Sequence, residues 1–115
     1  MVEHDLIYSR RLAGFEFTAE EEASMPSARH RLVQTCAATG RKSVMIGAHA
    51  KEIVGWPADK SRALLGELLA RATQPEHTYR HEWRSGDVVV WDNRAALHRA
   101  TLYDGSKYRR LMQRT

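Results

Sequence analysis

A chain of 115 residues is long enough for one small domain, and its 43% hydrophobic content excludes a generally disordered polymer. Eighteen Lys and Arg against 14 Asp and Glu give a formal charge of +4, but the basic residues are scattered among acids with no recognition-helix or stacking pattern, so no nucleic-acid partner is expected. No apolar run reaches about eighteen residues and no charged-then-apolar leader is seen, so no membrane span is expected, and the single Cys36, read as a partly buried apolar thiol, fits a reducing cytoplasm.

In chain order, Met1 to about Arg11 reads as a helix end or loop. Thr18-Ala19-Glu20-Glu21 is a capping box, in which the Thr hydroxyl and the Glu carboxylate close opposite backbone donors. The short helix it starts should end before Pro26. Arg31 to Thr35 and Ser43 to Ile46 are β-branched or apolar runs separated by Ala-Thr-Gly, which predicts two strands joined by a turn. Pro57 suits the first turn of a helix. Leu64, Leu65, Leu68, Leu69 and Ala72 then form one apolar helix face, with Glu67 and Arg71 paired on the exposed side and Pro75 bounding the end.

After Pro75 the period becomes extended. His77 to Trp83 alternates in character, Ser85-Gly86-Asp87 is turn chemistry, and Val88-Val89-Val90-Trp91 is strongly β-forming. A further strand is expected over Ala95 to Ala100, and a last one over Tyr108 to Thr115 after the Tyr103-Asp104-Gly105-Ser106 turn. Short strands at this spacing suggest a sandwich or barrel with a helix packed outside. His77 and His81 lie four apart, some 13 Å along a strand at about 3.3 Å per residue, so they are not expected to share a metal.

The last third also carries the candidate chemistry. A lone histidine such as His98 is ordinarily a surface or hydrogen-bonded residue, but a histidine ending one strand and arginines on the next can supply a metal ligand and an anchor for a dicarboxylate. By the period of two, Arg110, Met112 and Arg114 share one strand face, while Arg109, Leu111 and Gln113 share the other. Trp91, Asp92 and Asn93 read as architecture first, with a supporting role behind His98 as the lesser reading.

Trp83, Gly86-Asp87, Trp91-Asp92-Asn93-Arg94, His98 and then Arg109-Arg110, Met112 and Arg114 resemble the C-terminal signature of the Fe(II)/2-oxoglutarate dioxygenases of the TauD/TfdA type. The likeness extends upstream through Arg41-Lys42-Ser43, Ile46-Gly47-Ala48-His49-Ala50, Gly55-Trp56-Pro57, Ala63-Leu64-Leu65, Ala72-Thr73-Gln74-Pro75 and Tyr79-Arg80-His81. These segments resemble the aryloxyalkanoate branch in order and approximate spacing, over nearly the whole chain. The resemblance implies a mostly β fold with one or two helices, the C-terminal part of a double-stranded β-helix or jelly-roll, with residues 1–115 as one portion of a single domain. It implies Fe(II), 2-oxoglutarate as cosubstrate and oxygen. His98 would then be the distal iron ligand, Arg110 the anchor of the cosubstrate's distal carboxylate and Arg114 a supporting contact. The loop between His98 and Arg110 looks one residue longer than in close relatives, so Arg109 stays open as the anchor. His49 is a weak candidate for lining the substrate pocket.

The implied reaction converts 2-oxoglutarate to succinate and hydroxylates a small acidic substrate. For an aryloxyacetate such as 2,4-dichlorophenoxyacetate, hydroxylation beside the ether oxygen gives a hemiacetal that collapses to a phenol and glyoxylate. Taurine-like sulfonates are an open alternative, and so is a non-catalytic jelly-roll binding module. In the resembled family a His-x-Asp/Glu pair completes the iron site. None of the six histidines here is followed two residues later by Asp or Glu. The chain is therefore expected to be part of a larger enzyme and inactive alone, and a homo-oligomer stays open.

Overall fold

The computed structural model describes residues 1–113 of the 115. Its centre is the first strand, β1 (Val2–His4), which pairs antiparallel with β2 (Ala28–His30) on one side and β5 (Ala50–Ile53) on the other. Val2 stands opposite His30 and Ile53. A strand paired on both edges has its backbone groups satisfied, which makes β1 the natural place for the most buried side chain. Val2 is fully buried. Ile46, Ile53 and Leu65 pack with it, and Leu32, Ala50, Leu64 and Leu68 close over that cluster. Full burial of such a side chain contributes about 1.5–3 kcal/mol.

The expected loop or helix end over Met1 to Arg11 is thus corrected to a strand followed by a helix, α1 (Leu6–Leu12). The reason lies in Asp5, whose carboxylate accepts the Tyr8 N–H at 2.8 Å and opens α1 as its N-cap. The second helix, α2 (Ala19–Ser24), starts from the expected capping box, with Thr18 and Glu21 each accepting the other's backbone N–H. The two expected strands form as the hairpin β3 (Val33–Thr35) and β4 (Lys42–Val44). Gly40 takes φ of 68° in its connecting turn, a conformation that costs glycine little because it has no Cβ.

Cys36 begins that turn and is exposed, not partly buried as expected. The turn lies beyond the sheet, so no core is within reach of the thiol. A hydrogen bond from Thr39 holds the thiol below its ordinary pKa.

The long helix α3 (Ala58–Ala72) runs from Pro57 and turns Leu64, Leu65 and Leu68 of the expected face inward, while Leu69 and Ala72 at its far end stay exposed. Leu65 is buried, while the Arg71 guanidinium donates to Glu67 at 2.8 Å on the outer side. A short 3-10 turn at Pro75–His77 ends it.

The strands expected from His77 onward are not present among the described residues. Residues 78–113 form three turns joined by chain without regular secondary structure, with backbone bonds from Asp87 to Arg84, from Ala95 and Ala96 to Asp92, and from Lys107 and Tyr108 to Asp104. These turns fall where Asp, Asn, Gly and Ser dictate them. A β-forming run becomes a strand only beside a partner backbone. Val88 and Val90 are 86% and 90% exposed. The radius of gyration, 16.7 Å, accordingly exceeds the roughly 13 Å of a compact domain this long. Among the described residues no helix is long and apolar enough to cross a membrane.

Candidate active-site turn

The segment Trp91 to His98 is organised by Asp92. Its carboxylate accepts the Arg94 backbone N–H at 2.9 Å and the Arg94 guanidinium at 2.9 to 3.2 Å, while its carbonyl accepts from Ala95 and Ala96. The Arg94 side-chain bonds hold the Asp92 carboxyl below its ordinary pKa. The pair is exposed, so it shapes the turn more than it stabilises the protein.

This turn brings His98 back onto Trp91. The indole Nε1–H donates to Asn93 Oδ1 at 2.8 Å and to His98 Nδ1 at 3.1 Å, and the two rings lie 4.8 Å apart between centroids. An indole N–H is a donor only, so Nδ1 of His98 acts as the acceptor and the neutral ring carries its hydrogen on Nε2. A neutral imidazole that binds a metal through Nε2 carries that hydrogen on Nδ1 instead. The Trp91 contact and ligation through Nε2 therefore exclude each other, and loading a metal would require Trp91 to release the ring.

The arginines lie on the other side of the last turn. The Arg110 guanidinium stands 5.5 Å over the Tyr103 ring, across the Asp104–Lys107 turn. Stacking leaves the guanidinium edge available for a carboxylate. Arg109 is exposed. Arg114 lies outside the described residues.

His49 sits elsewhere, at the start of α1. Its Nδ1 is 2.6 Å from Ser9 Oγ and its carbonyl accepts from Asp5 at 2.8 Å. His77 and His81 have separate partners. His77 Nδ1 meets the Arg71 carbonyl at 3.0 Å, whereas His81 bridges Tyr79 at 3.3 Å and the Asp87 carboxylate at 2.9 Å.

Iron chemistry needs at least three protein donors in the 2-His-1-carboxylate pattern. Among the described residues no group of three or more His, Cys, Asp or Glu could hold a metal ion. The donor set present does not by itself fit an iron centre, and His98 offers one ligand toward it.

Two features were not legible in the sequence. His4 is half-buried with its Nε2 lacking a hydrogen-bond partner, and its ring meets His30 edge-on at 5.3 Å between centroids. Ser43 reaches 51 residues along the chain to donate to the Arg94 carbonyl at 2.7 Å. The only signal for Ser43 was its place in the Arg41-Lys42-Ser43 triplet.

The family model for taurine catabolism dioxygenase TauD, TfdA family matches residues 2–115. An alpha-ketoglutarate-dependent 2,4-dichlorophenoxyacetate dioxygenase of Burkholderia sp. (strain RASC) is 45% identical over 114 residues, covering 98% of this chain and 38% of that protein. A second, from Cupriavidus pinatubonensis, is 46% identical over 98% of this chain and 40% of its own length. The chain thus spans about two fifths of these curated relatives. Among solved structures, AAD-2 in complex with Mn(II) and N-oxalylglycine matches with a TM-score of 0.76 and 42% identity, over 82% of this chain and 37% of that one. The antiparallel sheets and three α-helices described above make up part of that mostly β jelly-roll class, one helix more than expected. By both sequence and fold, the chain belongs to the TauD, TfdA family.

Proposed function

We propose that residues 1–115 form the C-terminal portion of a single dioxygenase domain that uses Fe(II), 2-oxoglutarate and oxygen to hydroxylate a small acidic substrate. The substrate class is an aryloxyalkanoate such as 2,4-dichlorophenoxyacetate, released as a phenol and glyoxylate. The observation that carries this reading is a chain 45% identical to a 2,4-dichlorophenoxyacetate dioxygenase, in which the Trp91–His98 turn places a histidine that Trp91 would release to a metal.

When bound, the metal supplies oxygen activation, and the part of this chain is to hold and orient. His98 gives one ligand. Arg110 pairs its guanidinium fork with the distal carboxylate of 2-oxoglutarate, and Arg114 supports that end of the site. Because one ligand does not make an iron centre, the 115-residue chain alone does not turn over 2-oxoglutarate.

The test joins this chain to the upstream three fifths of the Burkholderia relative and measures succinate and phenol formation. Phenol formation that depends on 2,4-dichlorophenoxyacetate and on His98 is the expected result. Turnover only with taurine overturns the substrate assignment. Iron-dependent succinate formation by the 115-residue chain alone overturns the division of the site.

A further inference from the structure

We infer that Ser43, on β4, is the positioning residue that ties the Trp91–His98 turn to the body of the fold. Within the turn, bonds link Asp92 with Arg94, Ala95 and Ala96, and Trp91 with Asn93 and His98. They fix the turn's own shape and say nothing of where it sits. The Ser43 hydroxyl, donating to the Arg94 carbonyl at 2.7 Å, supplies that placement.

β4 is a firm base for such a contact. Ser43 stands opposite Gln34 in the β3–β4 ladder, and the next residues, Met45 and Ile46, lead into the core through the Met45 N–H bond to Leu32 and the buried Ile46 side chain. The same segment then touches the turn a second time. At Gly47 a β-carbon would meet Leu97 Cδ2 at 3.7 Å, so Leu97, the neighbour of His98, lies directly over the Gly47 backbone. Ser43 and Gly47 thereby hold the two ends of the Arg94–Leu97 stretch against one strand exit. The direction in which His98 is presented follows from both.

The functional meaning of this anchor rests on His98 being the metal ligand, but the anchor itself is read without any metal. The experiment compares the chain with its Ser43→Ala and Ser43→Thr variants by NMR of the Trp91 indole N–H and the histidine ring nitrogens. Ser43→Ala should shift the Trp91 signal and remove the acceptor signature of His98 Nδ1, leaving the His4 and His30 rings unchanged. Ser43→Thr, which keeps the hydroxyl and suits a strand, should restore both.

Unchanged Trp91 and His98 signals in Ser43→Ala overturn the proposal, as does a Thr variant that behaves like Ala. Loss of the His4 and His30 signals as well overturns it too, because the hydroxyl would then support the whole fold.

Discussion

The Ile53 amide on β5 donates its hydrogen to the hydroxyl of Ser61 on α3 at 2.5 Å, and Ser61 is completely buried. This is the polar joint between the central sheet and the long helix. Ser61→Ala removes the acceptor and leaves a buried N–H unpaired, which costs about 1–3 kcal/mol. Urea unfolding should show a lower midpoint with an unchanged slope. An unshifted midpoint would mean that the amide finds another partner.

Acid should weaken the same core through His4. Burial lowers its pKa from the ordinary 6.5, and the nearby His30 and His49 lower it further, against a raising contact with the Met45 backbone. The folded state therefore binds fewer protons at this ring than the unfolded chain does. The stability it protects is complete above the unfolded value of 6.5 and is lost as pH falls through the lower folded value. Lys51 pairs with Glu3 and Asp5 beside this ring, and Asp5, with its pKa lowered, and Lys51, with its pKa raised, stay charged over this range. Urea midpoints should fall between pH 7 and pH 5 in the parent and flatten in His4→Gln.

The extended C-terminal third should make the isolated chain adhesive. Leu102 and Leu111 are fully exposed, along with most of Val88 and Val90, and the described residues between the turns form no strand. Binding of a dye for apolar surface and concentration-dependent association by light scattering are expected. A monomer that binds no dye and unfolds in one sharp transition would contradict the exposure seen here.

If Arg110 anchors the distal carboxylate, Arg110→Ala in a completed enzyme should raise the 2-oxoglutarate requirement severely, since breaking a bidentate pair once buried costs about 2–5 kcal/mol. Arg109→Ala should do far less. If His98 is the iron ligand, His98→Ala should abolish activity at every cosubstrate concentration, because a ligand and not affinity for 2-oxoglutarate is lost. If Arg109→Ala proved the more damaging, the anchor would move by one residue and the longer loop after His98 would account for it.

The sequence by itself determined what closes within a few residues. The Thr18–Glu21 capping box, the Glu67–Arg71 pair and the turns at Ser85, Asp92 and Tyr103 all depend on side chains meeting backbone or neighbours within about one helical turn. The family was legible for a different reason, as a pattern of residues whose contacts need not be known to be matched. Tertiary structure decided the pairing of β1 with β2 and β5, the Ser61–Ile53 joint, the exposure of Cys36 and the reach of Ser43 to Arg94. It also decided that Val88 to Trp91 and Tyr108 onward form no strand among the described residues, despite their composition. A helix satisfies its hydrogen bonds from its own sequence, whereas a strand borrows them from a distant one, so β propensity states only where a partner would be accepted.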